Sequence, residues 1–182
     1  LAPRRHGIRS RSSMLVISPA TAHDLPALER IERSATDLYY EAGFSPAAIA
    51  PRGAADLRAL IGQTTLLLAR DGDDVVGYVS YYPRGPYLHL EEIAVRRDRQ
   101  RRGHGRRLAQ QVLAAAAADP QCSHISLVAF TRAGWAIRLY TGLGFRPLAG
   151  WDAPLPQPEL LAELLSDPAG EPRQVMIRAA EA

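Results

Sequence analysis

Residues 88–107 read LHLEEIAVRRDRQRRGHGRR, and this stretch decides how the rest of the chain is organised. Its first half belongs to an expected strand, Tyr87–Val95, whose alternation puts His89, Glu91, Ile93 and Val95 on one face and Leu90, Glu92 and Ala94 on the other. A loop follows with seven arginines between Arg96 and Arg107, punctuated by Gly103 and Gly105, and a helix then starts. Glycine lets a backbone turn tightly and approach a ligand closely. The unpaired amides of a helix N-terminus carry about half a positive charge. Together these features form an anion site suited to phosphate, with arginines as outer clamps. The loop is not a Walker A sequence, because no Gly-Lys-Ser/Thr closes it and the chain contains no lysine. Nor is it a dinucleotide fingerprint, since Gly-x-Gly-x-x-Gly fails at Leu108. A solvated arginine cluster capping a helix is the plainer alternative for the segment taken alone.

Upstream, Asp71-Gly72-Asp73-Asp74 joins two expected strands, Thr65–Arg70 and Val75–Tyr82, and Arg84-Gly85-Pro86 turns into the strand at Tyr87. Leu15–Ser18 reads as a short strand. The spacing of Leu25, Leu28, Ile31 and Glu32 after Asp24 predicts a helix, Tyr39–Pro46 a loop, and Ala54–Ile61 a second helix. Downstream, the pattern gives a helix over Gly105–Ala118, a strand over Ser123–Phe130, a short helix over Trp135–Thr141 and a strand opening at Gly144-Phe145-Arg146-Pro147. A helical stretch at Glu159–Leu165 and a closing strand at Gln174–Arg178 complete it. This order defines a mixed α/β layer protein, of the α+β type, with a largely antiparallel first half.

Composition sets the outer limits. At 182 residues, 47% hydrophobic and 23% charged, the chain has the material for one ordinary core. The single cysteine, Cys122, excludes a disulfide framework and any zinc site built from paired cysteines, and the scattered histidines lack metal-ligand spacing, so no metal is expected. Residues 1–13 hold four arginines and no acid, lack hydrophobic periodicity and are expected to be a disordered basic extension ahead of one domain, 14–182. That domain carries 18 arginines against 19 acids, which argues against nucleic acid as a partner. No apolar run reaches membrane-spanning length, so no membrane association is expected, and a cytoplasmic location is.

Gln100-Arg101-Arg102-Gly103-His104-Gly105 fits the Q/R-x-x-G-x-G/A acyl-CoA loop of the GNAT superfamily of acetyltransferases. Glu92-Ile93-Ala94-Val95 before it, and Leu139-Tyr140-Thr141-Gly142-Leu143-Gly144-Phe145 after it, also resemble that family's signature. The resemblance spans residues 14–178. It implies a mostly antiparallel central sheet of six to seven strands with helices on both faces, and acetyl-CoA as co-substrate. By the same resemblance the phosphates of coenzyme A rest on Gln100, Arg101, Arg102, Gly103, His104, Gly105 and Arg106. The pantetheine arm lies in a gap between two splayed strands, beside the backbone of Ile93, Ala94 and Val95. There the Val95 amide points at the thioester carbonyl.

Acetyl transfer to an amine poses two proton problems. An alkylammonium with a pKa of about 10.4 is free base in only about one molecule in a thousand near pH 7.4, so a base is needed. The departing thiolate, with a pKa of about 8.5, benefits from a proton donor. Glu91 and His89, two apart on one strand face, are the leading base candidates, with Glu92 in reserve because a bulge would swap the faces. Tyr140 is the acid candidate, at the position where the family places a hydroxyl near the sulfur. Plainer readings stand beside these: a packing histidine, a solvent-facing carboxylate, a core tyrosine. Ala133 departs from the asparagine that many relatives carry seven residues before the tyrosine.

The resulting expectation is an acetyl-CoA-dependent N-acetyltransferase acting on a primary amine of a small molecule or peptide by direct attack. A non-catalytic acyl-CoA-binding regulatory module on the same fold is the alternative, and a homodimer is compatible with either. Residues 35–62 and 148–172, the expected acceptor loops, carry no recognisable code.

Overall fold

The computed structural model describes residues 15–165 and 170–180; the basic extension at 1–13 and the expected domain start at Met14 lie outside the described residues. Seven strands form one sheet: β1 (Leu15–Pro19), β2 (Thr65–Asp71), β3 (Asp74–Arg84), β4 (Tyr87–Val95), β5 (His124–Phe130), β6 (Arg146–Pro147) and β7 (Arg173–Ala179). Their order across the sheet is β1-β2-β3-β4-β5-β7-β6. Every pairing is antiparallel except β4 with β5. That parallel pair is reached by a crossover through α3 (His104–Ala118), as two parallel neighbours require.

Helices α1 (Leu25–Glu41) and α2 (Ala54–Gln63) cover one face, and α3 and α4 (Gly134–Thr141) the other. Leu28, Ile31 and Leu57 pack with Tyr78 and Ala94 on the first face; Leu108, Ala109 and Val112 pack with Val95, Ile125 and Leu127 on the second. A capping box starts the chain into α1: the Asp24 carboxylate accepts from the Thr21 amide at 2.9 Å. Helix α1 runs through Tyr39 and Tyr40 to Glu41, where the sequence pattern predicts a loop. Tyr39 stacks edge-on against Phe44, Phe130 and Trp135, so tertiary packing carries the helix past the point where its own periodicity fades. Between β6 and β7 a strap containing α5 (Glu159–Ala162) lies over Tyr87, Val175 and Ile177, tied down by Arg84 donating to the Leu160 carbonyl at 3.0 Å.

Two irregularities position the site. Ser80 pairs with Glu92 but Tyr81 with Leu90, so Glu91 is an extra residue in β4, a bulge. The bulge overturns the simple alternation: beyond it the faces swap. His89, Glu92 and Ala94 share the α1–α2 face, and Leu88, Leu90, Ile93 and Val95 face α3 and α4. The second irregularity follows from the first. β4 pairs with β5 only over Tyr87–Leu90, and the two strands part where the bulge bends β4 away.

Candidate active site

A cavity of about 460 Å³ passes through that gap. From the α1–α2 face it is lined by Glu32, Tyr39, Arg52, His89 and Glu92, and from the α3–α4 face by Ile93, Ala136 and Tyr140.

The strand edge along the gap has free backbone groups. The Arg96 amide donates to the Val76 carbonyl at 2.9 Å, so strand alternation turns the N–H and C=O of Val95 and Ile93 away from β3, toward the gap. The Val95 carbonyl is already taken by Gln100 Nε2 at 3.0 Å. The Gln100 side chain thus ties the loop to the end of β4. Beyond it, Arg101 (φ 60°) and Gly103 (φ 81°) both sit in the left-handed region, a backbone that curls successive N–H groups around a concave nest. Among the described residues the amides of 101–106 donate to no protein acceptor. Gly103 caps α3, whose first turn adds the positive end of its dipole.

The seven loop arginines divide into two sets. Arg96 pairs with Asp74 and Asp98, Arg97 with Glu41, and Arg99 with Asp71 and Asp74; these three brace the loop against the β2–β3 turn and α1. Arg101, Arg102, Arg106 and Arg107 form no ion pair among the described residues, although Arg106 donates to the Gly142 carbonyl at 3.3 Å. These four remain available as anion clamps. Both ring nitrogens of His104 are buried without a partner among the described residues, and burial lowers the pKa of the ring.

On the other side of the gap, one guanidinium serves three carboxylates. Arg52 Nη1 donates to Glu92 at 2.8 Å, Nη2 donates to Glu91 at 3.3 Å, and Glu32 lies 3.7 Å away. Glu32 also accepts from the Arg52 amide at 2.8 Å and from the Tyr78 hydroxyl. Burial, opposed by Arg52 and reinforced by Glu32, pushes the Glu92 carboxyl up to about 7. Burial, reinforced by the positive charge of Arg84, takes His89 down to about 4, so its ring is neutral at pH 7. Burial raises the hydroxyls of Tyr39 and Tyr140 above the usual phenol range, and both keep their protons.

The structure brings Glu91, His89 and Tyr140 to one cavity, with Glu92 beside them. Of the tyrosines Tyr39, Tyr40, Tyr81 and Tyr82, only Tyr39 lines it. Sequence reasoning missed Arg52. It stands 20 residues from Glu32 and about twice that from Glu91 and Glu92, in a loop without local pattern, so no signal in the sequence marks it. Among the described residues no cluster of metal-ligating side chains occurs, and no helix is long and apolar enough to cross a membrane.

The model of the acetyltransferase (GNAT) family matches residues 28–145, and the chain belongs to that family. Ribosomal-protein-S18-alanine N-acetyltransferase from Escherichia coli has a similar structure, with a TM-score of 0.68, 21% identity and coverage of 93% of this chain and 96% of that one. An acetyltransferase from Thermus thermophilus superposes with a TM-score of 0.65 at 20% identity, over 92% of this chain and 98% of that one. The PaiA N-acetyltransferase of Thermoplasma acidophilum, solved in complex with coenzyme A, gives 0.67 at 12% identity, over 91% and 99%. At these identities the likeness establishes the fold. A search of curated proteins gave no match.

Proposed function

We propose that this acetyltransferase moves the acetyl group of acetyl-CoA to a primary amine of a small molecule or peptide, by direct attack of the amine on the thioester. The observation that carries the reading is the cavity through the β4–β5 gap. Carboxylates line it on the α1–α2 side, and the loop that follows β4, outside its lining, carries unpaired amides and arginines without an ion pair among the described residues. A pyrophosphate suits this loop: the amides of 101–106 offer donors without acceptors of their own, and Arg101, Arg102 and Arg106 offer charge. Acetyl-CoA supplies the activated thioester, and coenzyme A is its leaving product.

The protein's residues then divide the work. The Val95 amide stabilises negative charge developing on the thioester oxygen. Of the three carboxylates around Arg52, Glu92 takes the proton from the ammonium, since an acceptor near pH 7 is matched to that task. Glu91 stays beside it through the same guanidinium. The nitrogen bonds the acetyl carbon, the carbon–sulfur bond breaks, and Tyr140, protonated at neutral pH, gives its proton to the leaving thiolate, while the second nitrogen proton, released as the amide forms, passes through water to reprotonate Tyr140. In this reading the base role passes from Glu91 to its neighbour because the bulge carries Glu92 onto the face that His89 occupies.

A thiol-release screen with acetyl-CoA against amines, amino acids, polyamines and peptides tests the proposal. Acetylated amine formed in step with thiol supports it. Tight coenzyme A binding with no thiol release above the uncatalysed rate across the panel contradicts it.

A further inference from the structure

We infer that Ser126 is a positioning residue that fixes the tautomer of His89, so that the imidazole presents Nε2–H to the cavity as a hydrogen-bond donor and not as a base. The two residues face each other in the parallel register of β4 and β5, and Nδ1 lies 3.0 Å from the serine Oγ. Both are buried, at 3% and 0% exposure. The serine hydroxyl has no other partner among the described residues. Were Nδ1 protonated, its N–H would donate to Oγ and the hydroxyl proton would be left buried with no acceptor, the costlier of the two arrangements. The hydroxyl therefore donates to Nδ1, and the ring proton resides on Nε2.

The surroundings agree. The Tyr82 ring meets the imidazole edge-on at 5.2 Å and offers no competing acceptor, and burial with the nearby Arg84 charge keeps the ring neutral. Nε2 lies 3.8 Å from Glu91 Oε2, beyond a direct hydrogen bond but within reach of one bridging water. His89 thus points a proton at the carboxylate beside the base, and its lone pair faces the sheet interior. The ring has no free site for the ammonium proton, which leaves that proton to the carboxylates. Ser126 is not among the residues lining the cavity and acts only through the ring.

The kinetic arm of the test rests on the amine-acetylation reading, and the spectroscopic arm does not. Long-range ¹⁵N–¹H correlation spectra of ¹⁵N-labelled protein at pH 7, assigned with His89→Gln, report the tautomer directly. The expected result is a single neutral form protonated at Nε2. Ser126→Ala should populate the Nδ1–H form and lower kcat roughly tenfold at unchanged KM for acetyl-CoA. Ser126→Thr, which keeps the hydroxyl, should restore both. Protonated Nδ1 in the wild type overturns the inference, as does an unchanged tautomer or an unchanged kcat in Ser126→Ala. An Nε2–H tautomer in a protein that acetylates no amine leaves the assignment standing and removes the transfer reading instead.

Discussion

Arg52 and Glu92 stand 40 positions apart in the chain, and the guanidinium of one donates to the carboxylate of the other at 2.8 Å. The contact joins the loop ahead of α2 to the half of β4 beyond the bulge, across the mouth of the cavity. Because the same guanidinium also serves Glu32 and Glu91, its charge is spread over three acids, and burial keeps Glu92 near neutrality. A carboxyl lifted from about 4.5 to about 7 accepts protons readily at physiological pH.

Glu92→Gln keeps the shape and removes the acceptor. Turnover at pH 7.5 is expected to fall about 10²- to 10³-fold, with KM for acetyl-CoA little changed. In the wild type, Glu92 is protonated below its pKa, so kcat/KM should drop about tenfold per unit below pH 7 and level off above it. Steady-state rates from pH 5.5 to 9 check both; a Glu92→Gln variant with the wild-type acid limb assigns that limb to another group.

His89 links the site to acid stability. Its folded pKa is about 4 against 6.5 unfolded, so between those values the unfolded chain binds the extra proton. The contribution is fully present above pH 6.5 and is lost as pH falls through about 4, roughly 3 kcal/mol in all. Glu92 runs the opposite way, since its raised pKa makes the folded state the tighter proton binder between about 4.5 and 7. Urea unfolding at pH 7 and pH 4 separates them: His89→Gln should lose less stability on acidification than the wild type, by about the histidine's share.

Tyr140 is buried at 9% exposure and meets Phe145 edge-on at 5.9 Å. Tyr140→Phe retains that packing and deletes only the hydroxyl. Turnover should fall at least tenfold while calorimetric affinity for coenzyme A stays within about twofold. Unchanged turnover removes Tyr140 from the proton path.

Gly77 controls how closely β3 approaches the end of β4. A Cβ there would meet the Ala94 carbonyl oxygen at 2.7 Å and a Val95 methyl at 3.1 Å. Gly77→Ala must push β4 outward at Val95, whose amide faces the gap, with an expected loss of about 1–3 kcal/mol. A lower urea midpoint at constant m-value, together with reduced kcat, is the expected outcome.

Much of this is legible in the sequence, and the limits have physical causes. Strand, arginine loop and helix over 88–107 rest on local signals: alternation, glycine and helix-start chemistry. The Asp71–Asp74 turn and the Leu139–Phe145 signature are equally local. The bulge at Glu91 is not, because two adjacent glutamates read as ordinary alternation and only the pairing with Ser80 and Tyr81 reveals the extra residue. Arg52 is invisible for the same reason, its partners being distant in sequence. Reading the loop arginines as one set of clamps goes too far, since Arg96, Arg97 and Arg99 serve the fold.

The most direct test of the account compares coenzyme A with pantetheine, which lacks the pyrophosphate, by calorimetric titration of the wild type and Gly103→Pro. Proline cannot adopt the φ of 81° at this position and removes an amide from the loop. Coenzyme A should bind the wild type at least a hundredfold more tightly than pantetheine, and Gly103→Pro should erase that advantage while its circular dichroism stays native. Equal affinity of the wild type for the two ligands, or an undiminished preference in Gly103→Pro, would contradict the claim that the backbone of this loop holds the pyrophosphate.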